Sequence, residues 1–101
     1  MRLEECLSKL IKPELDNLKI ILNLTEEQEI IFYLVAKRKS LVEISMKTGF
    51  SITTIKRRKR DIVEKVRHLI MVKIIQNGEI KDVGNITLSE ETVKLISSLI
   101  A

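Results

Sequence analysis

The chain has 101 residues, 45% of them apolar and only three aromatic (Phe32, Tyr33 and Phe50). That is enough for one domain around one aliphatic core, and it excludes a disordered chain. Lys and Arg number 18 against 14 Asp and Glu, a net charge of +4.

The distribution of charge says more than its sum. Lys37-Arg38-Lys39 and Lys56-Arg57-Arg58-Lys59-Arg60 carry eight of the positive charges, whereas acidic residues predominate before Lys37. A basic middle after an acidic start predicts a localised anionic partner. Cys6 is the single cysteine, so no disulfide can form within the chain, and a reducing compartment fits. The first residues lack the charged-then-apolar layout of a signal peptide, and no apolar run approaches a membrane span. The expected location is cytoplasmic, with no membrane contact.

Leu3, Leu7, Leu10 and Ile11 recur at helical spacing, which predicts a first helix over 3–11. Pro13 is expected to end or kink it. A second helix follows over 14–22, with Leu15, Leu18 and Leu22 on one side. Thr25-Glu-Glu-Gln28 is a capping box, with Leu24 placed to staple the helix entry. Ile30, Ile31, Leu34 and Val35 then form the predicted inner face of the third helix. Ser40-Leu-Val-Glu43 is a second capping box, opening a short helix with Leu41, Ile44 and Ser45 inward. Gly49 supplies a left-handed stop and Ser51 caps the next helix. No breaker occurs from Ile52 until Asn77-Gly78, so that helix is predicted to run for about 25 residues, long for a small domain. Residues 80–88 read as a loop or weak hairpin. Ser89-Glu-Glu opens a last helix with Val93, Ile96, Leu99 and Ile100 inward. The expectation is an all-α single domain, 1–101, of about five or six helices: N-terminal helices in 1–23, a central helix-turn-helix in 24–76, and a loop and C-terminal helix in 77–101.

The segment 41–51 onward has the parts of a helix-turn-helix: a short helix, a glycine-containing turn, and a second helix whose first residues would meet base edges in the major groove. Ser45 is small enough for close approach at the crossing, Gly49 takes the turn dihedral, and Phe50 and Ile55 fill the angle. Periodicity alone fits an ordinary helical hairpin equally well; charge separates the two readings. On a wheel of about 100° per residue with Ile55 at zero, Ile62, Val66 and Leu69 fall within about 40° of it. Lys56, Arg67, Arg60, Thr53 and Arg57 fall between about 100° and about 200°. Thr53, Lys56, Arg57 and Arg60 are therefore the candidate base-reading residues, since arginine binds guanine O6 and N7 with two bonds and lysine reaches guanine or phosphate. Arg58 and Lys59 lie off the arc, placed as flanking phosphate contacts or as side chains folded over apolar surface. A basic run is also what a solvated helix face looks like.

Leu24-Thr-Glu-Glu-Gln-Glu-Ile-Ile, Lys39-Ser-Leu-Val-Glu-Ile-Ser, Thr48-Gly-Phe-Ser-Ile-Thr-Thr-Ile-Lys and Ile62-Val-Glu-Lys-Val together resemble the LuxR/GerE-type helix-turn-helix, and equally the related region four of sigma factors. The resemblance covers 24–66, under half the chain. It implies double-stranded DNA as partner, base reading by Lys56, Arg57 and Arg60, and backbone contacts by Ser51, Thr54 and Lys47. Ser45 and Thr48 depart from the family, which usually has Ala and Leu there. Thr48 is expected to weaken the small core. The family's short fourth helix is also missing: 68–75 continues as an apolar helix instead.

That apolar surplus (Leu69, Ile70, Met71, Val72, Ile74, Ile75) exceeds one packed face. Either the remaining helices cover it or a second copy does, and a symmetric dimer would read a two-fold site. His68 has no Cys or His partner at metal spacing, Cys6 reads as packing, and no constellation suggests catalysis, so neither metal, cofactor nor enzyme activity is expected. The function predicted is a small transcriptional regulator. Two alternatives are an adaptor that binds RNA polymerase as sigma region four does, and an accessory that recruits a mobile element's enzyme to DNA.

Overall fold

All six described helices start directly after a residue whose φ and ψ are extended, and local chemistry explains most of those starts. The computed structural model describes residues 1–71 and 88–99, and all regular structure within them is helical. The helices are α1 (Leu3–Ser8), α2 (Lys12–Leu22), α3 (Glu26–Ala36), α4 (Leu41–Thr48), α5 (Ile52–Leu69) and α6 (Glu90–Ser97). The all-α expectation holds.

Both predicted capping boxes form. The Thr25 hydroxyl accepts from Gln28 N–H and the Gln28 side chain accepts from Thr25 N–H; Ser40 and Glu43 repeat the pattern. Ser51 and Ser89 cap α5 and α6 by accepting from Thr54 N–H and Thr92 N–H. Each such bond satisfies an amide the helix itself cannot.

The N-terminal boundary differs from the sequence reading. α1 stops at Ser8, and Pro13 lies in the first turn of α2. Proline there loses nothing, because first-turn amides have no helical partner. Ile11, expected on an inner face, is the extended residue before α2 and is 68% exposed. In α3 the buried face is Gln28, Ile31, Phe32 and Val35, so Ile30 points outward where Phe32 was not expected inward. Seven consecutive residues from Ile30 to Ala36 are apolar or aromatic, which leaves periodicity unable to choose the face. The long helix is α5, and the part predicted beyond Met71 lies outside the described residues, as do most of the expected loop at 80–88 and Ile100.

α5 is the central beam, about 27 Å long at 1.5 Å per residue. It packs against α3 most extensively and also against α4 and α2, while α1 lies on α3. Ile55, Ile62 and Val66 on its inner face are fully buried, and Phe32, Ile31, Leu7 and Leu18 meet them in one core. Leu69, Ile70, Leu88 and Ile96 join that core, so the first part of the apolar surplus is covered within one chain. Cys6 is fully buried under α1, and burial pushes its thiol up to about 11.

Among the described residues, three have left-handed backbones: Asn23 (φ 53°), Arg38 (φ 58°) and Gly49 (φ 79°). Asn23 and Arg38 each follow a helix end and are bridged by a bond reaching back five residues, Leu24 N–H to Lys19 O and Lys39 N–H to Leu34 O. That is the closure normally built on glycine.

Candidate nucleic-acid interface

The link between α4 and α5 is three residues long, Gly49-Phe50-Ser51, and side chains of α4 hold its middle residue on both sides. The Ser45 hydroxyl donates to Phe50 O (2.7 Å). The Thr48 hydroxyl accepts from Phe50 N–H (3.1 Å) and donates to Ile44 O (2.7 Å). Thr48 therefore fastens the turn, a role that its departure from the family pattern did not suggest. The signal was available: serine and threonine hydroxyls bind backbone groups within a few residues of themselves. Gly49 closes α4 through its N–H to Ser45 O, and Phe50 packs partly buried against the core next to fully buried Ile55.

This turn sets where the start of α5 points. Thr53, Lys56, Arg57 and Arg60 are all exposed on the face opposite the buried stripe. Among the described residues, no carboxylate lies within 4.0 Å of Lys56, Arg57 or Arg60, whereas the more distant Arg67 pairs loosely with Glu64 (3.7 Å). Lys47 is exposed in the last turn of α4. Ser51 and Thr54 are joined at the cap: Ser51 accepts from Thr54 N–H and donates to the Thr54 hydroxyl (2.9 Å). In that arrangement the Thr54 proton, not the Ser51 proton, is available to an outside acceptor.

The first turn of α5 carries no acidic residue. The first turn of every other described helix carries at least one: Glu4 and Glu5; Glu14; Glu26, Glu27 and Glu29; Glu43; and Glu90 with Glu91. Carboxylates there satisfy the positive end of the helix dipole. α5 leaves that end, with its free amides, to whatever approaches from outside.

The basic run does not all face outward. Arg58, expected as a phosphate contact, instead bonds Glu27 of α3 (3.4 Å) and Asp61 (3.3 Å), so the structure does not bring it to the exposed face. Lys59 bonds Glu4 of α1 (3.4 Å). Lys65, which sequence reasoning passed over, donates to Asn23 O (2.8 Å) and Gln28 Oε1 (2.7 Å). These three cations brace α5 against α3, α1 and the α2–α3 turn. Five consecutive residues cover a whole helical turn, so residues 56–60 could not all have shared one face.

Two further features complete the charged surface. On the far side of α3, Tyr33 donates to Asp16, and Lys19 bonds Glu29 (3.1 Å). The Tyr33 bond foremost, with Lys12 and Lys19 nearby, holds the Asp16 carboxyl below its ordinary value. Second, a cleft of about 650 Å³ opens between the start of α1, the α3–α4 turn and the middle of α5. Among the described residues no group of three or more His, Cys, Asp or Glu side chains could hold a metal ion, and no helix is long and apolar enough to cross a membrane. No protein-family model, curated protein or solved structure matches the chain.

Proposed function

We propose that this protein binds double-stranded DNA in a sequence-specific manner, with α5 as the helix that enters the major groove, and that it acts as a small transcriptional regulator in the cytoplasm. The observation that carries this reading is the exposed, unpaired basic face of Thr53, Lys56, Arg57 and Arg60, set directly behind a helix start free of carboxylates. Unpaired cations pay no cost of breaking internal ion pairs on meeting phosphate, and side chains near the start of such a helix are those that reach base edges. Thr54, Lys47 and the free amides of α5 serve as backbone contacts, with Ser51 fixing the orientation of Thr54. A second copy reading the other half of a two-fold site belongs to the same proposal.

Selection from a random duplex pool at two salt concentrations tests it. The expected result is an enriched motif that survives the higher salt. Arg57→Ala should cost about 1–3 kcal/mol on that motif and relax preference at one base pair. Equal weakening on every sequence would remove the base-reading role, and binding that vanishes with salt would reduce the face to phosphate attraction.

The polymerase-adaptor reading has one observation in its favour. Val42 and Met46, one turn apart on the outer face of α4, are 58% and 81% exposed. A protein partner would bury them.

A further inference from the structure

The cleft beside α5 has an unusual lining. Arg2, Arg38, Lys39, Lys59 and Arg60 supply five cationic side chains, against one carboxylate, Glu4. That carboxylate is already bonded to Lys59, whose ammonium together with a backbone hydrogen bond lowers it against the opposing effect of burial. Among the described residues, Arg2, Arg38 and Arg60 have no carboxylate within 4.0 Å, and Lys39 has only Glu43 at 3.8 Å. Arg38 holds a backbone conformation that favours glycine, so nothing in its main chain calls for a long side chain there. Unpaired guanidinium groups gathered around a concave surface suit one chemistry above others, the tetrahedral oxyanion of a phosphate.

We propose that this cleft binds the phosphodiester backbone of the DNA strand that flanks α5, with Arg2 and Arg38 as the contacts. Arg60 links the two surfaces, since it belongs both to the exposed face of α5 and to the cleft wall. A helix about 10–12 Å across fills a major groove about 12 Å wide, so a phosphate strand runs along each of its sides. On one side lie Ser51 and Thr54. On the other, a strand leaving Arg60 meets the cleft. The contacts come from the residue before α1 and from the α3–α4 turn, outside the helix that reads bases. The inference rests on the DNA-reading role of α5.

The test uses the full chain with Arg38→Gly and, separately, Arg2→Ala, each measured on the selected duplex and on an unrelated one across a salt series. Arg38→Gly removes the guanidinium while relaxing the backbone, so its thermal midpoint is expected to be unchanged or raised. Arg2 precedes α1 and makes no side-chain cap bond, so its removal leaves the fold alone. Each variant should weaken binding roughly tenfold on both duplexes alike and lower the salt slope by about one. Wild-type affinity and slope in both variants, with Arg57→Ala still altering base preference, would overturn the cleft and leave the DNA reading intact. Failure of the unaltered chain to bind any duplex would remove both. A cleft that takes inorganic pyrophosphate in an Arg38-dependent way, while neither variant changes DNA binding, would assign it to a free phosphate compound and overturn the proposal too.

Discussion

Gly49 and Arg38 both have a positive φ, 79° and 58°, but only Arg38 carries a β-carbon there. At Gly49 an added β-carbon would meet nothing within 4 Å, so packing does not require glycine there. The backbone does. Gly49→Ala is expected to lower stability by about 0.5–1 kcal/mol, the left-handed penalty less the freedom that alanine takes from the unfolded chain. Arg38→Gly should move stability by a similar amount in the opposite direction. Chemical denaturation of both variants checks the pair, and a loss above 2 kcal/mol at Gly49 would mean that the turn itself had rearranged. Glycine was legible at one of these positions because helix ends favour it. Nothing in the sequence marked Arg38, since left-handed arginine has no local signature.

Between helices, apolar burial decides which face of each one turns inward, and ion pairs and hydrogen bonds form along the edges of those contacts. Capping boxes could be read from sequence because both partners sit within four residues of each other. The orientation of α3 could not, because Phe32 is drawn inward by α1 and α5 rather than by its own neighbours. The same holds for Arg58, Lys59 and Lys65, whose partners Glu27, Glu4 and Asn23 are remote in the chain. The exposed part of the candidate site, Lys56, Arg57 and Arg60, was legible because it depends only on the phase of α5 relative to Ile55. These pairings also fix a pH dependence. Glu4 and Asp16 have carboxyls held below their ordinary values, so their contribution is present above about 4.5 and is lost as pH falls through the lowered values. Lys19 is raised, chiefly by its hydrogen bond to Glu29, and Tyr33 is raised by burial and then by Asp16. Their contribution is complete below about 10 and is lost as pH climbs through the raised values. Urea midpoints across pH should therefore plateau at neutrality and fall at both ends, and Asp16→Asn should flatten the acid side. An acid limb unchanged in that variant would count against the Tyr33–Asp16 bond.

For the molecule as a whole, one core joins α1 through α6, with α5 passing through its middle, and this makes the recognition surface a property of the entire fold. The buried single cysteine offers a way to time how that fold comes apart. Cys6 sits with Leu3 and Leu7 on the inner side of α1, shut away from solvent, and its thiol stays protonated at neutral pH. A thiol reagent can reach it only in molecules where α1 has lifted from α3 or the chain has opened entirely. Labelling of the native protein should be slower than labelling in denaturant by orders of magnitude, and its dependence on reagent concentration separates the rate of opening from the population that is open. Equal rates in the two conditions would mean that α1 is not docked. Because α1 also forms one wall of the basic cleft, a duplex held there would act as a latch, and the lone sulfur would register its closing as a further slowing of the reaction.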